Sequence, residues 1–185
     1  MKKSSKTVFQ TPFFEIEELA WDSRHSLHPY YRLNAADSAI CCLINRKGNF
    51  LMVKQYRPTM EAHTVEFPAG EIGQGEPPLE AARREVAEEI GVDSILLSLG
   101  NYSLMMNRTN IRNYLFLGLS SGLPVQKKQE EGIKRLEVTK EKFKKMVMKG
   151  EYLQLAGLGL LQIVRLKYGV DLLRDPLKKI LSIFE

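Results

Sequence analysis

The chain has 185 residues, 44% of them hydrophobic, and a formal net charge of +5 from 27 basic and 22 acidic side chains. That fits one globular domain with room for a small extension; the mild positive balance suits polyanions or phosphates or is that of a generic basic protein, and nucleic acid is not the expected partner. The basic start Met-Lys-Lys-Ser-Ser-Lys is followed by no apolar h-region, and the longest apolar run, 155–164, is broken by Gly157, Gly159 and Gln162, so neither a signal peptide nor a membrane span is expected.

In chain order, residues 2–6 read as frayed. Residues 14–21 and 30–33 read as strands joined by 22–29, a small β unit over 1–35 ahead of a main domain over 36–185. His25 and His28 in that connection, and His63 later, read as ordinary loop histidines rather than metal ligands. Residues 38–44 read as a buried strand. Its adjacent Cys41 and Cys42 would point to opposite faces, poorly placed to bridge, so a reduced, cytoplasmic protein is expected. Asn45-Arg46-Lys47-Gly48-Asn49 reads as a hairpin loop with glycine for the positive φ, and 50–55 as the returning strand. After Gln55-Tyr56-Arg57-Pro58 and a polar loop, residues 64–70 read as a strand running into the most informative stretch of the chain.

That stretch is 70–92. Pro77 and Pro78 suit a helix start and Gly91 a helix end. Leu79, Ala82, Val86 and Ile90 recur at helical spacing and define one apolar stripe. Glu85 and Glu89 stack four apart beside it, with Glu88 three from Glu85. Like charges at this spacing repel, so three acids within five residues point to a hard divalent cation, Mg²⁺ or Mn²⁺.

Gly70, five residues, Glu76, seven residues, then Arg84-Glu85-Val86-Ala87-Glu88-Glu89-Ile90-Gly91-Val92 resembles the Nudix box of the Nudix hydrolases at each defined position. The flanking Gln55-Tyr56-Arg57-Pro58 and Glu66-Phe67-Pro68-Ala69-Gly70 resemble the branch that hydrolyses ADP-ribose and other nucleoside diphosphate sugars. The resemblance implies an α/β (α+β) Nudix fold, a mixed β-sheet sandwiched between helices, with residues 1–35 as an N-terminal β extension. It also implies a catalytic cation held by Glu85, Glu88, Glu89 and the Ala69 carbonyl, with Arg84 and Glu76 bracing the loop. Arg57, whose guanidinium can pair bidentately with phosphate, and Glu66 are candidate substrate contacts.

Past the box, residues 94–99, 102–106 and 114–119 read as strands. Arg108 and Arg112 lie between the last two, and Arg108 is a third candidate substrate contact. No proline occurs between Pro78 and Pro124, where the ADP-ribose branch usually carries one. The charged loop 126–132 resembles an acid–x–acid–x–Ile segment of related enzymes, with Gln129 in place of the first acid and Glu131 as the second. Glu131 is the first candidate for the general base, with Glu130 and then Glu88 as rivals. Thr139 should cap a helix over 140–149. A second helix is expected over 152–168, buried against the sheet or a second subunit, and a last over 177–184 behind Asp175 as N-cap and Pro176.

The resemblance implies hydrolysis of a nucleoside diphosphate sugar, ADP-ribose first, by a homodimer assembled through the extension. The alternatives are another phosphoanhydride (a dinucleoside polyphosphate, NADH, a capped RNA end) and a non-catalytic nucleotide sensor.

Overall fold

The computed structural model describes residues 4–20, 29–125 and 131–185. Trp21, the connection with His25 and His28, and the loop residues Gln129 and Glu130 lie outside the described residues. Three antiparallel strands, β1 (Ser4–Gln10), β2 (Phe14–Ala20) and β3 (Tyr30–Ala35), form a sheet of their own. Residues 4–6 are therefore strand rather than frayed end. All of β1 is exposed, so no buried alternation marked it in the sequence.

The second sheet runs β10 (Lys134–Val138), β5 (Phe50–Arg57), β4 (Ser38–Ile44), β9 (Asn113–Pro124), β8 (Val92–Tyr102). Of its remaining strands, β6 (Ala62–Glu66) pairs with β5 and β7 (Ala69–Glu71) with β4. β4 and β9 are parallel and the other pairs antiparallel, so the sheet is mixed. In the β4–β5 hairpin, Gly48 takes φ 80° while Asn45 Oδ1 accepts from the Lys47 and Asn49 N–H groups.

Helices cover both faces. β4 is buried nearly throughout, and the alternation of its side chains builds two cores. Ala39, Cys41 and Leu43 join Ala81, Ala82, Val86 and Ile90 of the first helical segment. Ile40, Cys42 and Ile44 join Phe143, Leu160 and Val164 on the opposite face. The two thiols thus lie in different cores, both free and buried, and burial pushes both up in pKa. The first segment is α1 (Pro78–Glu85), continued by a wider π-type turn over Val86–Ile90. The far face carries α2 (Lys140–Met148), α3 (Leu155–Tyr168) and α4 (Leu177–Leu181), the last followed by a 3-10 turn over Ser182–Phe184. Among the described residues no helix is long and apolar enough to cross a membrane.

Several boundaries differ from the sequence reading. Residues 64–70 divide between β6 and β7, because Pro68 has no N–H for a ladder and the chain changes partner there from β5 to β4. β8 is one long strand that shifts register between Ser98 and Gly100, where Gly100 adopts φ 104°. The strand expected at 102–106 ends at Tyr102 instead. The Met105 carbonyl accepts from both the Arg108 and Thr109 N–H groups and turns the chain. α3 begins at Leu155, since Tyr152 and Gln154 are committed to contacts with each other. Thr139 does cap α2, its hydroxyl accepting from the Lys142 N–H. Asp175 does not cap α4. Its carboxylate accepts from the Asp171 N–H and pairs with Lys179, leaving Pro176 at the cap.

Candidate active site

α1 is amphipathic, and its sheet-facing edge carries carboxylates as well as apolar side chains. Glu85 and Glu89 are 7% and 3% exposed, burial that charged groups tolerate only when partnered. Their partners come from β7 and from Arg84. The Ala69 N–H donates to Glu89 Oε2 at 3.0 Å. Gly70 leaves the space that the Glu85 carboxylate fills, because a Cβ there would stand 2.0 Å from Oε1. β7 lies beside β4 in the register Ile40–Ala69 and Ala39–Gly70, which fixes this strand end against the helix.

Arg84 ties loop to helix. Its Nη1 donates to Glu85 Oε1 at 2.6 Å and Glu88 Oε2 at 3.1 Å, so both carboxylates converge on one cationic nitrogen. Nε and Nη2 donate to the two Glu76 oxygens at 2.9 and 3.1 Å, and Nη2 also to the Glu71 carbonyl. Glu76 Oε2 in turn accepts from the Gly73 N–H. The bonds to Glu76 foremost, then those to Glu85 and Glu88, hold the guanidinium pKa above its ordinary value despite partial burial.

The donor chemistry, carboxylate oxygens next to a strand-end carbonyl at Ala69, fits a hard divalent cation. In the present arrangement no three Asp, Glu, His or Cys side chains among the described residues are grouped to hold one, and Arg84 supplies the positive charge between Glu85 and Glu88.

Arg57 and Glu66 stand together, one strand along from Ala69. Arg57 Nε donates to Glu66 Oε1 at 2.8 Å and Nη2 to Oε2 at 2.6 Å, a bidentate pair, and the Thr64 hydroxyl donates to Oε1. Burial alone would raise the Glu66 carboxyl, but the Arg57 and Thr64 hydrogen bonds and the Arg57 charge outweigh it and hold its pKa low. The pair lines a cleft of about 280 Å³ with Thr59, Met60, Leu153 and Gln154.

Arg108 belongs to a different neighbourhood. Its guanidinium lies 5.4 Å from the centre of the Tyr30 ring, and Tyr30 Oη donates to the Asn107 carbonyl. With Leu19, Arg32 and Asn110 these residues line a cavity of about 420 Å³ between the N-terminal sheet and the 103–112 loop. Glu131 is exposed and precedes Gly132, at φ 84°, and Ile133. Ile133 is buried in the same cluster as Val86 and Ile90, which tethers Glu131 to the α1 side of the sheet.

Two supporting residues escaped the sequence reading. Gln154 Oε1 accepts from the Phe67 N–H at 3.0 Å and its Nε2 donates to the Phe67 carbonyl, clamping the segment between Glu66 and Ala69. Arg135 Nε donates to the Glu89 carbonyl at 3.0 Å, and its guanidinium lies where a Cβ on Gly91 would go. An isolated Gln after a helix and an Arg in a short strand carry no spacing signal. Only the fold brings them to the site.

The NUDIX domain family model matches residues 34–152, well over half the chain and including every residue of the Glu85–Glu89 cluster and its strand. The chain belongs to the Nudix family. Local similarity runs to an ADP-sugar pyrophosphatase of Mus musculus, 54% identical over 41 residues, which is 22% of this chain and 19% of that protein. It runs also to an ADP-ribose pyrophosphatase of Bacillus subtilis, 44% identical over 48 residues, 26% of each chain. A methanol dehydrogenase activator of Bacillus methanolicus is 42% identical over 50 residues, 27% of each. These matches span about a fifth to a quarter of the relatives' own lengths. A crystal structure of an ADP compounds hydrolase superposes with a TM-score of 0.74 over 89% of this chain and 91% of that one, at 17% identity, so the Nudix fold is shared well beyond the box.

Proposed function

We propose that this Nudix protein is a metal-dependent pyrophosphatase that hydrolyses a nucleoside diphosphate sugar, ADP-ribose first, to a nucleoside monophosphate and a sugar phosphate. The observation that carries the reading is that the buried Glu85 and Glu89 both lie against the Ala69–Gly70 strand end, Glu89 accepting from the Ala69 N–H and Glu85 filling the space at Gly70 while it shares Arg84 with Glu88. Local matches to proteins named as ADP-sugar and ADP-ribose pyrophosphatases support the substrate class.

A bound Mg²⁺ or Mn²⁺, held by Glu85, Glu88, Glu89 and the Ala69 carbonyl, would neutralise the diphosphate and make water a better nucleophile. Arg84, anchored on Glu76, keeps the carboxylates aligned. Arg57, oriented by Glu66, faces a cleft of the right size for one end of the substrate and offers phosphate a planar donor fork. Glu131 takes the proton as the water oxygen bonds to one phosphorus and the bridging P–O bond breaks, with Glu88 next in line for that role.

Residues 1–35 act as an extension to a catalytic domain over 36–185. Exposed Val8, Phe9 and Phe14 on that sheet, with Phe13 in its β1–β2 turn, support its use as a homodimer contact, and the cavity lined by Tyr30 and Arg108 supports a share in holding the substrate. The buried thiols of Cys41 and Cys42 are in keeping with a reducing, cytoplasmic setting.

A second reading, action on another enzyme rather than on a free nucleotide, draws on the match to the methanol dehydrogenase activator. The retained carboxylates weigh against it as the sole role. A panel of ADP-ribose, other nucleoside diphosphate sugars, NADH and dinucleoside polyphosphates, assayed with Mg²⁺ by product chromatography, tests the proposal. Fastest turnover of ADP-ribose or a close analogue is expected. Turnover confined to NADH or the polyphosphates would reject the substrate class.

A further inference from the structure

We infer that the helical face opposite α1 carries a second binding site, for an organic phosphate, in the cleft between α2, α3 and the 169–175 turn. The inference does not rest on the hydrolytic reading.

Charge is distributed unevenly along the chain. Residues 139–185 hold ten Lys and Arg against five Asp and Glu, whereas residues 1–138 hold seventeen of each, so the whole net charge of +5 belongs to the segment that forms α2, α3 and α4. These helices pack on one face of the sheet, and α1 with its 86–90 turn, where four Glu stand with two Arg, packs on the other, so the positive excess gathers on one side of the molecule. A positive face of this kind raises the local concentration of anions.

Within that face lies a cleft of about 450 Å³, a volume within the range of small-molecule sites. Leu158, Leu161, Gln162 and Arg165 follow one another at helical spacing along α3 and form one wall. Lys144 of α2 and Leu173 and Arg174 of the turn form the others. Three cations therefore meet a single acid, Asp171. Asp171 gives little neutralisation, since its Oδ2 is 3.9 Å from Arg174 Nε and its Oδ1 already accepts from the Leu173 N–H. Among the described residues no carboxylate forms an ion pair with Lys144 or Arg165. Forked guanidiniums from two elements match phosphate oxygens, while three half-buried leucines offer an apolar wall to the rest of the ligand. That combination selects a phosphate carried on an apolar or aromatic moiety over a bare inorganic ion.

The test is a titration of ¹⁵N-labelled full-length protein with ADP in EDTA, which withholds divalent ions from the carboxylate site. Amide shifts at Lys144, Leu158, Gln162, Arg165 and Arg174 should move together and saturate. Adenosine and inorganic pyrophosphate, each offering half of the recognition, should bind more weakly. The Arg165→Gln/Arg174→Gln double variant should weaken ADP by about tenfold or more, the loss expected when hydrogen bonds to charge are removed. Lys144→Gln provides an independent variant should the double one fail to fold. Shifts confined to residues 69–92, no saturable shift at millimolar ADP, or pyrophosphate binding as tightly as ADP would overturn the proposal. So would single-stranded RNA binding far more tightly across α2 and α4, which would make the face a nucleic-acid surface.

Discussion

Gly70 decides whether the Glu85 carboxylate can lie where it does. A Cβ at that position would meet the flexible end of Glu85 rather than backbone, so the helix can keep its packing while the carboxylate moves away. Gly70→Ala should therefore lower kcat by about tenfold or more, the cost of misplacing a reacting group by an ångström, while a thermal melt stays close to wild type. Loss of activity only in proportion to loss of fold would contradict this. Glu131 and Glu130 separate by a similar argument. If Glu131 takes the proton, Glu131→Gln should cut kcat far more than it changes KM, and Glu130→Gln should be mild; the reverse pattern moves the role to Glu130. Full activity in both single variants and the double variant would exclude the loop and leave Glu88. In the free protein the Arg57–Glu66 ion pair contributes to stability. Because the folded Glu66 pKa is lowered, its contribution is present above the ordinary carboxylate range and is lost as pH falls through the lower folded value. Denaturant melts across the acid range should show Glu66→Gln removing part of that acid sensitivity.

At the scale of elements, the segment between β6 and β7 is held from outside by Gln154, which comes from the approach to α3. Gln154→Ala leaves the Phe67 N–H and carbonyl without these partners and should destabilise the protein by about 1–3 kcal/mol. It should also lower kcat, because the Ala69 carbonyl loses its support; urea melts paired with initial rates check both. The same elements show how far the sequence could be read. Dense local patterns were legible. The stripe Leu79, Ala82, Val86, Ile90 placed α1, Thr139 placed the start of α2, and the unbroken apolar run 38–44 placed the central strand β4. Of the candidate site, the nearness of Glu85 to Glu88 and the tie of Arg84 to Glu76 are local to one loop–helix segment, so the spacing along the chain carried them. Whatever depended on sheet pairing was not. Pro68 gave no sign that it switches partners from β5 to β4, the bulge at Gly100 was read as a break between two strands, and fully exposed β1 offered no alternation. Arg108, expected only as a candidate substrate contact in the loop past the box, lies in a loop that packs on β3, with the Leu33 N–H donating to the Arg108 carbonyl, which carries it to the extension.

For the whole molecule, the mixed sheet separates two chemistries. One face holds α1 and its 86–90 turn with four Glu, and the other gathers the net positive charge. The N-terminal sheet buries little, since its edge strand is wholly exposed and only Glu17 and Leu19 among its strand residues are buried. If it serves as a dimer contact, sedimentation should show a dimer at micromolar concentration, and deleting the residues before Leu33 should yield a monomer with impaired turnover. A full-length monomer at high micromolar concentration would refute that assembly. The central claim is that the buried carboxylates Glu85 and Glu89, at the end of α1 and in the turn that continues it, carry a metal-dependent hydrolysis, and it is tested most directly by the initial rate of AMP release from ADP-ribose at saturating Mg²⁺ by wild type and Glu89→Gln side by side. The account predicts turnover that EDTA abolishes and a fall in kcat on the order of 10² or more in the variant, with an unchanged fold. Near wild-type turnover by Glu89→Gln, or wild-type turnover that survives EDTA, would contradict it.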